Sequence, residues 1–202
     1  MMEFKNDDGG RVAAGFEGKT GDCVTRAIAI ATGRDYREVY DALAVGQRKF
    51  GEGRSRAAKV ARKNPSPRTG VFRKVYQKYL EDIGWEWVPT MKVGEGCTTH
   101  LRADELPSGR IIARVSKHLC AVIDGVIHDT HDPSRNGTRC VYGYFIKKGE
   151  QPDTPLQEDS ETVDEENFHV VPEEDAELIA SNMARMNIAL NRLGFVSVTI
   201  DN

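Results

Sequence analysis

The 202-residue sequence lacks the long apolar runs and targeting signals that mark several specialised classes of protein. No stretch approaches the eighteen or so consecutive apolar residues that a membrane-spanning helix needs. The first residues, MMEFKNDDGGR, do not show the basic and then apolar pattern of a secretory signal peptide. With 39% hydrophobic and 29% charged residues, the composition is typical of a soluble globular protein. We therefore expect a cytoplasmic protein without a membrane partner.

Cysteine is scarce, and no two cysteines form a C-x-x-C pair. The sequence contains Cys23, Cys97, Cys120 and Cys140. A reducing compartment favours free thiols, so we expect no disulfide. Cys97 and His100 have the spacing of a metal-binding pair, but the hairpin described below turns His128 away from Cys120. A structural zinc site is therefore disfavoured, and we expect neither a metal nor another cofactor.

Charge is unevenly distributed, although the net charge is only -3. Residues 48–74 contain ten Lys or Arg and one acid, Glu52, whereas residues 150–177 contain twelve acids and no Lys or Arg. The basic run lacks a recognised nucleic-acid-binding module, and the acidic run can neutralise it within the same chain. We expect residues 48–74 to form a solvated face or a substrate-binding loop, and we do not expect a nucleic-acid partner.

Helical periodicity dominates the first part of the chain, and strand patterns follow it. Residues 1–20 are polar and glycine-rich, which predicts an extended lead-in. Apolar spacing predicts helices over residues 23–32, 35–50 and 57–62, and a further helix over 70–84 that Thr69 caps. Five strands are then predicted at WEWVPTM, RIIARVS, HLCAVID, VIHDTHD and RCVYGYFIK. Helices followed by an antiparallel meander predict an α+β domain over residues 1–148.

The C-terminal quarter of the sequence has a different composition. Residues 149–166 are acidic and almost without apolar side chains, which predicts a linker. Residues 167–202 predict a helix with an apolar stripe and then a strand, FVSVTI. We expect this appendage to pack on the main domain or on a protein partner.

Cys23 begins the first predicted helix, in the segment TGDCVTRAIAIATG. A helix N-terminus lowers the pKa of a thiol because it places partial positive charge and free N–H groups beside the sulfur. The same N–H groups can stabilise a developing oxyanion. A single cysteine more often packs as a small apolar side chain, so this segment alone does not identify a nucleophile.

The register of one predicted hairpin follows from its turn. Asp124-Gly125 between two apolar runs is a strong signal for a two-residue type I′ turn. Ile123 then pairs with Val126, and counting back along both strands pairs His118 with His131.

This register brings ionisable side chains together at the open end of the hairpin. His118, Asp129 and His131 lie on one face, with Asp129 diagonal to His118. A histidine that a carboxylate orients is the base that a cysteine nucleophile such as Cys23 requires. Asp132, just past the second strand, is the alternative orienting residue.

The segments GDCVTRAIAIATG and KHLCAVIDGVIHDTHDPS, in this order, resemble the papain-like cysteine peptidases. The likeness is greatest to the compact branches that include C39-type peptidases and uncharacterised bacteriophage-encoded proteins. The matching parts are GDC at the start of a helix and, about a hundred residues later, a strand that begins with His, a DG turn and a second strand with an acid. The likeness covers about residues 16–147. It implies a papain-like fold with N-terminal helices packed on an antiparallel sheet.

The resemblance also implies roles for individual residues. Cys23 corresponds to the nucleophile, His118 to the general base and then acid, and Asp129 to the residue that orients the histidine. It implies hydrolysis of a peptide or isopeptide bond in a peptide or protein substrate through an acyl-enzyme, without a metal or cofactor. A phage-encoded protein of this kind would act in the host cytoplasm or in the virion.

The oxyanion-binding position departs from the family pattern. The family often has Gln about six residues before the cysteine, and Glu17 stands there in this sequence. Lys19, or the backbone N–H groups of Asp22 and Cys23, are the alternative donors. The competing hypothesis is a catalytically silent peptidase-like scaffold that acts as a structural or binding protein, for example in a phage particle or a host complex.

Overall fold

The computed structural model describes residues 2–18, 20–91 and 94–149. The helices are α1 (Cys23–Thr32), α2 (Tyr36–Gly51), α3 (Arg56–Lys63) and α4 (Arg73–Asp82), with a 3₁₀ turn (Pro67–Thr69) before α4. The strands are β1 (Glu3–Asn6), β2 (Trp85–Pro89), β3 (Arg110–Val115), β4 (His118–Ile123), β5 (Val126–Asp129) and β6 (Val141–Lys147). This mixed architecture agrees with the predicted α+β class. Apart from Gly149, the predicted linker and the C-terminal appendage lie outside the described residues.

The first two helices begin and end where their local sequence predicts. Gly33 follows α1 with a φ of 68°, the left-handed conformation that commonly ends a helix. The carboxylate of Asp35 accepts hydrogen bonds from two backbone N–H groups in the first turn of α2, as an N-cap residue does.

The predicted start of α4 is wrong. Thr69 belongs to the preceding 3₁₀ turn, and its hydroxyl donates to the carbonyl oxygen of Ser66. It therefore does not cap α4, which begins at Arg73 after Phe72 and has no side-chain cap.

Six strands form one sheet in the order β1-β5-β4-β3-β6-β2. Neighbouring strands are antiparallel except for β1 and β5, which run parallel. The expectation of a wholly antiparallel sheet is therefore wrong. The predicted extended lead-in over residues 1–20 contains the extended strand β1, which belongs to the sheet, and then turns at residues 9–15. The sequence of β1, EFKN, does not alternate apolar and polar residues over the length that indicates a strand, and all four residues are exposed.

The sheet has a hydrophobic core on each face. Helices α1, α2 and α4 cover one face, where they meet Ile112, Leu119, Ala121 and Phe145 of the sheet. The opposite face is covered by Met2, Leu101 and Leu106, which pack with Ile111, Val122, Ile127 and Ile146. The central strands β3 and β4 are thus buried on both sides, and their ends are held in place by packing. Within the described ranges, no helix combines the length and the apolar character needed to cross a membrane.

The hairpin between β4 and β5 has the predicted turn and register. Asp124 and Gly125 have φ values of 48° and 76°, and a type I′ turn requires a positive φ at both positions. Ile123 pairs with Val126, as predicted. The strands that contribute the predicted histidine and acid are therefore in the expected alignment.

The expectation that all four cysteines are free is wrong. Cys97 and Cys140 form a disulfide, whereas Cys23 and Cys120 are free. An isolated antiparallel bridge between His100 and Cys140 brings the two distant segments alongside each other. Because the Cys97 sulfur belongs to a disulfide, it is not a thiolate that could bind a metal ion together with His100.

Candidate active site

Cys23 is the first residue of α1, at the helix N-terminus that the sequence predicts. It is half-buried and lines an open cleft of about 940 Å³. Asp22 precedes it, but the Asp22 side chain forms no capping hydrogen bond to the helix. The backbone N–H groups of the first turn are therefore not occupied by that carboxylate, and they face the same end of the helix as the sulfur.

His118 is hydrogen-bonded to a buried acidic residue, Asp129. The ring nitrogen Nε2 lies 2.5 Å from Oδ2 of Asp129. His118 also interacts electrostatically with Cys23, and both side chains line the same cleft. Strand alternation assigns His118 to the face opposite the helices, but it is the first residue of β4. At this end of the sheet its ring lines the cleft that Cys23 also lines.

The electrostatics of this pair favour a thiolate beside an imidazolium. Burial by itself raises the pKa of the Cys23 thiol, but the hydrogen bond and charge of His118 outweigh burial, and the net pKa is lowered. Burial lowers the pKa of His118, but the contacts with Asp129 and Cys23 outweigh it and raise that pKa to about 9. Arg26 and a backbone contact at Leu119 also stabilise the thiolate. Both shifts favour the charged forms of the two groups, a thiolate and an imidazolium.

Asp129 is the acid that contacts His118, and Asp132 is not. Asp129 is 2% exposed, and its Oδ1 accepts a hydrogen bond of 2.7 Å from the backbone N–H of Thr130. Burial raises its pKa, but His118, the Thr130 N–H and Arg26 outweigh burial and lower it. Asp132 is exposed, and its carboxylate accepts from the backbone N–H of Ser134, 2.8 Å away, which stabilises the following turn.

Arg26 is the functional candidate that the sequence analysis missed. It is 7% exposed and lies one turn after Asp22, with which it forms a short ion pair. Its second terminal nitrogen lies 3.2 Å from Oδ1 of Asp129. Asp22 is fully buried and also accepts a hydrogen bond of 2.5 Å from the hydroxyl of Tyr36. Arg26 thus links the helix of Cys23 to the strand that orients the histidine. The i, i+4 spacing of Asp22 and Arg26 is the signal that could have indicated it.

The predicted oxyanion donors differ in their positions. Glu17 is exposed and does not line the cleft, and its carbonyl oxygen accepts hydrogen bonds from Arg11 and Arg68. The Asp22 carboxylate is occupied by its buried partners, and Lys19 lies outside the described residues. Of the predicted donors, the backbone N–H groups at the start of α1 are the ones that the geometry favours.

His131 approaches the same histidine from the cleft. Its ring centroid lies 4.9 Å from that of His118, and its side chain is exposed. The ligand atoms of His118, Asp129 and His131 all lie within 4.8 Å of one another, so these three residues could hold a metal ion. His118 and Asp129 are already hydrogen-bonded to each other, however, through Nε2 and Oδ2.

Comparison of the chain with protein-family models, with curated proteins and with solved structures found no match.

Proposed function

We propose that the protein is a papain-like cysteine hydrolase that cleaves a peptide, isopeptide or other amide bond through an acyl-enzyme. The observation that supports the proposal is that Cys23, at a helix N-terminus, lines the same open cleft as His118, which is hydrogen-bonded to Asp129. A polarised thiol, a base and a group that orients the base are the three parts that nucleophilic catalysis by cysteine requires.

The chemistry follows from these positions. The Cys23 thiolate attacks the carbonyl carbon and forms a C–S bond, while the carbonyl electrons move to oxygen. Backbone N–H groups at the start of α1 stabilise the oxyanion. As the intermediate collapses, His118 gives its proton to the departing amine and the C–N bond breaks. Water, which His118 then deprotonates, attacks the thioester, the C–S bond breaks, and the carboxylic acid product and free thiolate result.

A silent scaffold is the second candidate, and one observation favours it. No Asn or Gln side chain is among the described residues that line the cleft, so no side-chain amide supplements the backbone donors. Loss of one oxyanion donor costs about a hundredfold to a thousandfold in turnover. A protein of this fold that binds a partner without cleaving it would need no such donor.

Thiol alkylation and acylation distinguish the two candidates. Iodoacetamide should label Cys23 with a kinetic pKa well below about 8.5. His118→Ala should return that pKa to the ordinary range. Cys120 is fully buried and burial raises its pKa, so the native chain should be labelled at Cys23 alone, and Cys120→Ser is the matched control.

p-Nitrophenyl acetate should then release a burst of one nitrophenolate per chain, followed by slower turnover as the thioester hydrolyses. Cys23→Ala should abolish the burst, and Cys120→Ser should retain it. An ordinary kinetic pKa at Cys23 together with no burst would refute the hydrolase and support the scaffold.

A further inference from the structure

The cleft beside Cys23 has a strongly one-sided charge. Five cationic side chains line it, and no Asp or Glu is among its described lining residues. These cations are Arg11, Arg26, Arg73, Arg114 and Lys117. The first two are paired with the buried Asp22. Within the described ranges, the other three have no carboxylate within 4 Å, so their charge is directed at the cleft.

Arg73 and Arg114 are held at the boundary between this cleft and a second depression. The Arg73 guanidinium lies over the ring of Trp87, 5.0 Å from its centroid, and that of Arg114 lies 5.5 Å from the centroid of Tyr142. Stacking on an aromatic face fixes the plane of a guanidinium and leaves its N–H edge available for hydrogen bonds, and the Tyr76 hydroxyl also interacts with Arg114. Such an edge binds a carboxylate through two parallel hydrogen bonds.

The position of Arg73 is unfavourable for the helix that contains it. Arg73 is the first residue of α4 and Lys74 is the second, and the first turn of α4 has no acid and no side-chain cap. Cations are disfavoured at a helix N-terminus because the peptide dipoles already place positive charge there. A local arrangement that opposes helix stability, without a neutralising partner among the described residues, is typical of a binding site.

We propose that Arg73 and Arg114 form a subsite for carboxylates and that the cleft takes acidic peptide segments. This inference rests on the proposed function, because the subsite is assigned to the substrate of Cys23. A peptide fits better than a nucleic acid because apolar side chains line the cleft together with the cations. These are Val24, Val71, Val115 and Leu119. Apolar patches between cations suit a chain with mixed side chains rather than a continuous phosphate backbone.

Charge-selective alkylation tests the subsite without requiring turnover. The full-length chain is treated with iodoacetate, which is anionic, and with iodoacetamide, which is neutral. The quantity measured is the rate of Cys23 alkylation by iodoacetate divided by the rate by iodoacetamide. In the variant Arg73→Gln/Arg114→Gln the ratio should fall about fourfold at low ionic strength, because a unit charge about 10 Å away in water changes the rate of an anion roughly twofold and the variant removes two such charges. The control Arg48→Gln/Arg56→Gln removes the same charge from exposed positions outside the cleft and should leave the ratio unchanged.

Peptide binding to the Cys23→Ala chain tests the substrate class. The probe is a fluorescein-labelled decapeptide with the sequence of residues 157–166, QEDSETVDEE, compared with a counterpart in which amides replace the six acids. The acidic peptide should bind more tightly by fluorescence anisotropy, and Arg73→Gln/Arg114→Gln should weaken its binding about fivefold to tenfold. The single variants Arg73→Gln and Arg114→Gln should each give a smaller loss, and Arg48→Gln/Arg56→Gln none.

Each outcome has a distinct meaning. Equal binding of the two decapeptides, or an alkylation ratio that the cleft variants do not change, would overturn the subsite. Tighter binding of a single-stranded oligodeoxynucleotide of equal charge than of the acidic peptide would overturn the peptide in favour of a nucleic acid. Charge selectivity without an acylation burst would refute only the proposed hydrolase, whereas a burst without charge selectivity would refute only the subsite.

Discussion

Replacing Arg26 with methionine removes the buried cation that joins α1 to β5 and keeps a side chain of similar apolar volume. Arg26 forms ion pairs with Asp22 and Asp129, which are 0% and 2% exposed. Without Arg26, each buried carboxylate loses a charged hydrogen-bond donor. Removing one partner of a buried ion pair is destabilising because it leaves an uncompensated charge in a medium of low polarity.

The remaining contacts determine the expected magnitude. Breaking a buried ion pair costs about 3–5 kcal/mol. Asp22 keeps the Tyr36 hydroxyl and lies 2.9 Å from Nε of Arg11, and Asp129 keeps His118. We therefore expect the lower end, a loss of about 3 kcal/mol in the free energy of unfolding. For a unit of about 150 residues, this corresponds to a fall of about 6–12 °C in Tm.

Urea unfolding followed by tryptophan fluorescence measures this loss. Both tryptophans of the chain, Trp85 and Trp87, lie in β2, so their emission reports on the described sheet. The matched control is Arg34→Met. Arg34 pairs with Glu38 at 2.5 Å, but their side chains are 40% and 54% exposed, so this loss should be about 0.5 kcal/mol.

A loss below about 1 kcal/mol for Arg26→Met, or one equal to that of Arg34→Met, would refute the reasoning. It would mean that the two buried carboxylates are solvated or protonated without the guanidinium. Arg26→Lys provides a further check, because a single ammonium group keeps the charge but lacks the fork that reaches two carboxylates. Its stability should lie between those of the native chain and Arg26→Met.

Two other substitutions have definite expected results. Asp129→Asn should lower the pKa of His118 from about 9 toward about 6.5, so that between these two pH values the Cys23 thiolate loses its charged partner. The kinetic pKa of Cys23 alkylation should therefore rise, with a rate at pH 7 at least tenfold lower, and an unchanged profile would contradict the role of Asp129. Gly143→Ala should cost about 3 kcal/mol in urea unfolding, because φ is 146° and the added Cβ would lie 2.3 Å from Cζ2 of Trp87. Native stability in this variant would show that the β2–β6 contact is not close.

Patterns among residues close together in the sequence were sufficient to predict the helices and the hairpin that contain the candidate site. The spacing of apolar residues and the cap at Asp35 predict α1 and α2, because both depend on neighbours within four residues. The Asp124-Gly125 turn predicts the register of β4 and β5, because a two-residue turn leaves one pairing for the strands. The contact between His118 and Asp129 follows from that register.

Other features depend on residues far apart in sequence. β1 is an exposed edge strand held by backbone pairing to β5, more than a hundred residues away, so its own side chains do not indicate a strand. Arg26 has the residue type of a solvated position, and its burial results from Asp129, a partner that becomes a neighbour only when the sheet forms. The disulfide between Cys97 and Cys140 likewise requires the bridge at His100 that brings the two segments together.

The order of the site residues along the chain affects the protein during its synthesis. His118 and Asp129 follow Cys23 by 95 and 106 residues. At translation rates of about 5–20 residues per second, Cys23 leaves the ribosome about 5–20 s before His118. Until then α1 has no β4 beneath it, and the thiol is an ordinary cysteine that is mostly protonated at neutral pH. A nascent chain therefore contains little Cys23 thiolate, and the electrostatic effect of His118 on the thiol begins only when the β4–β5 hairpin folds onto the helix.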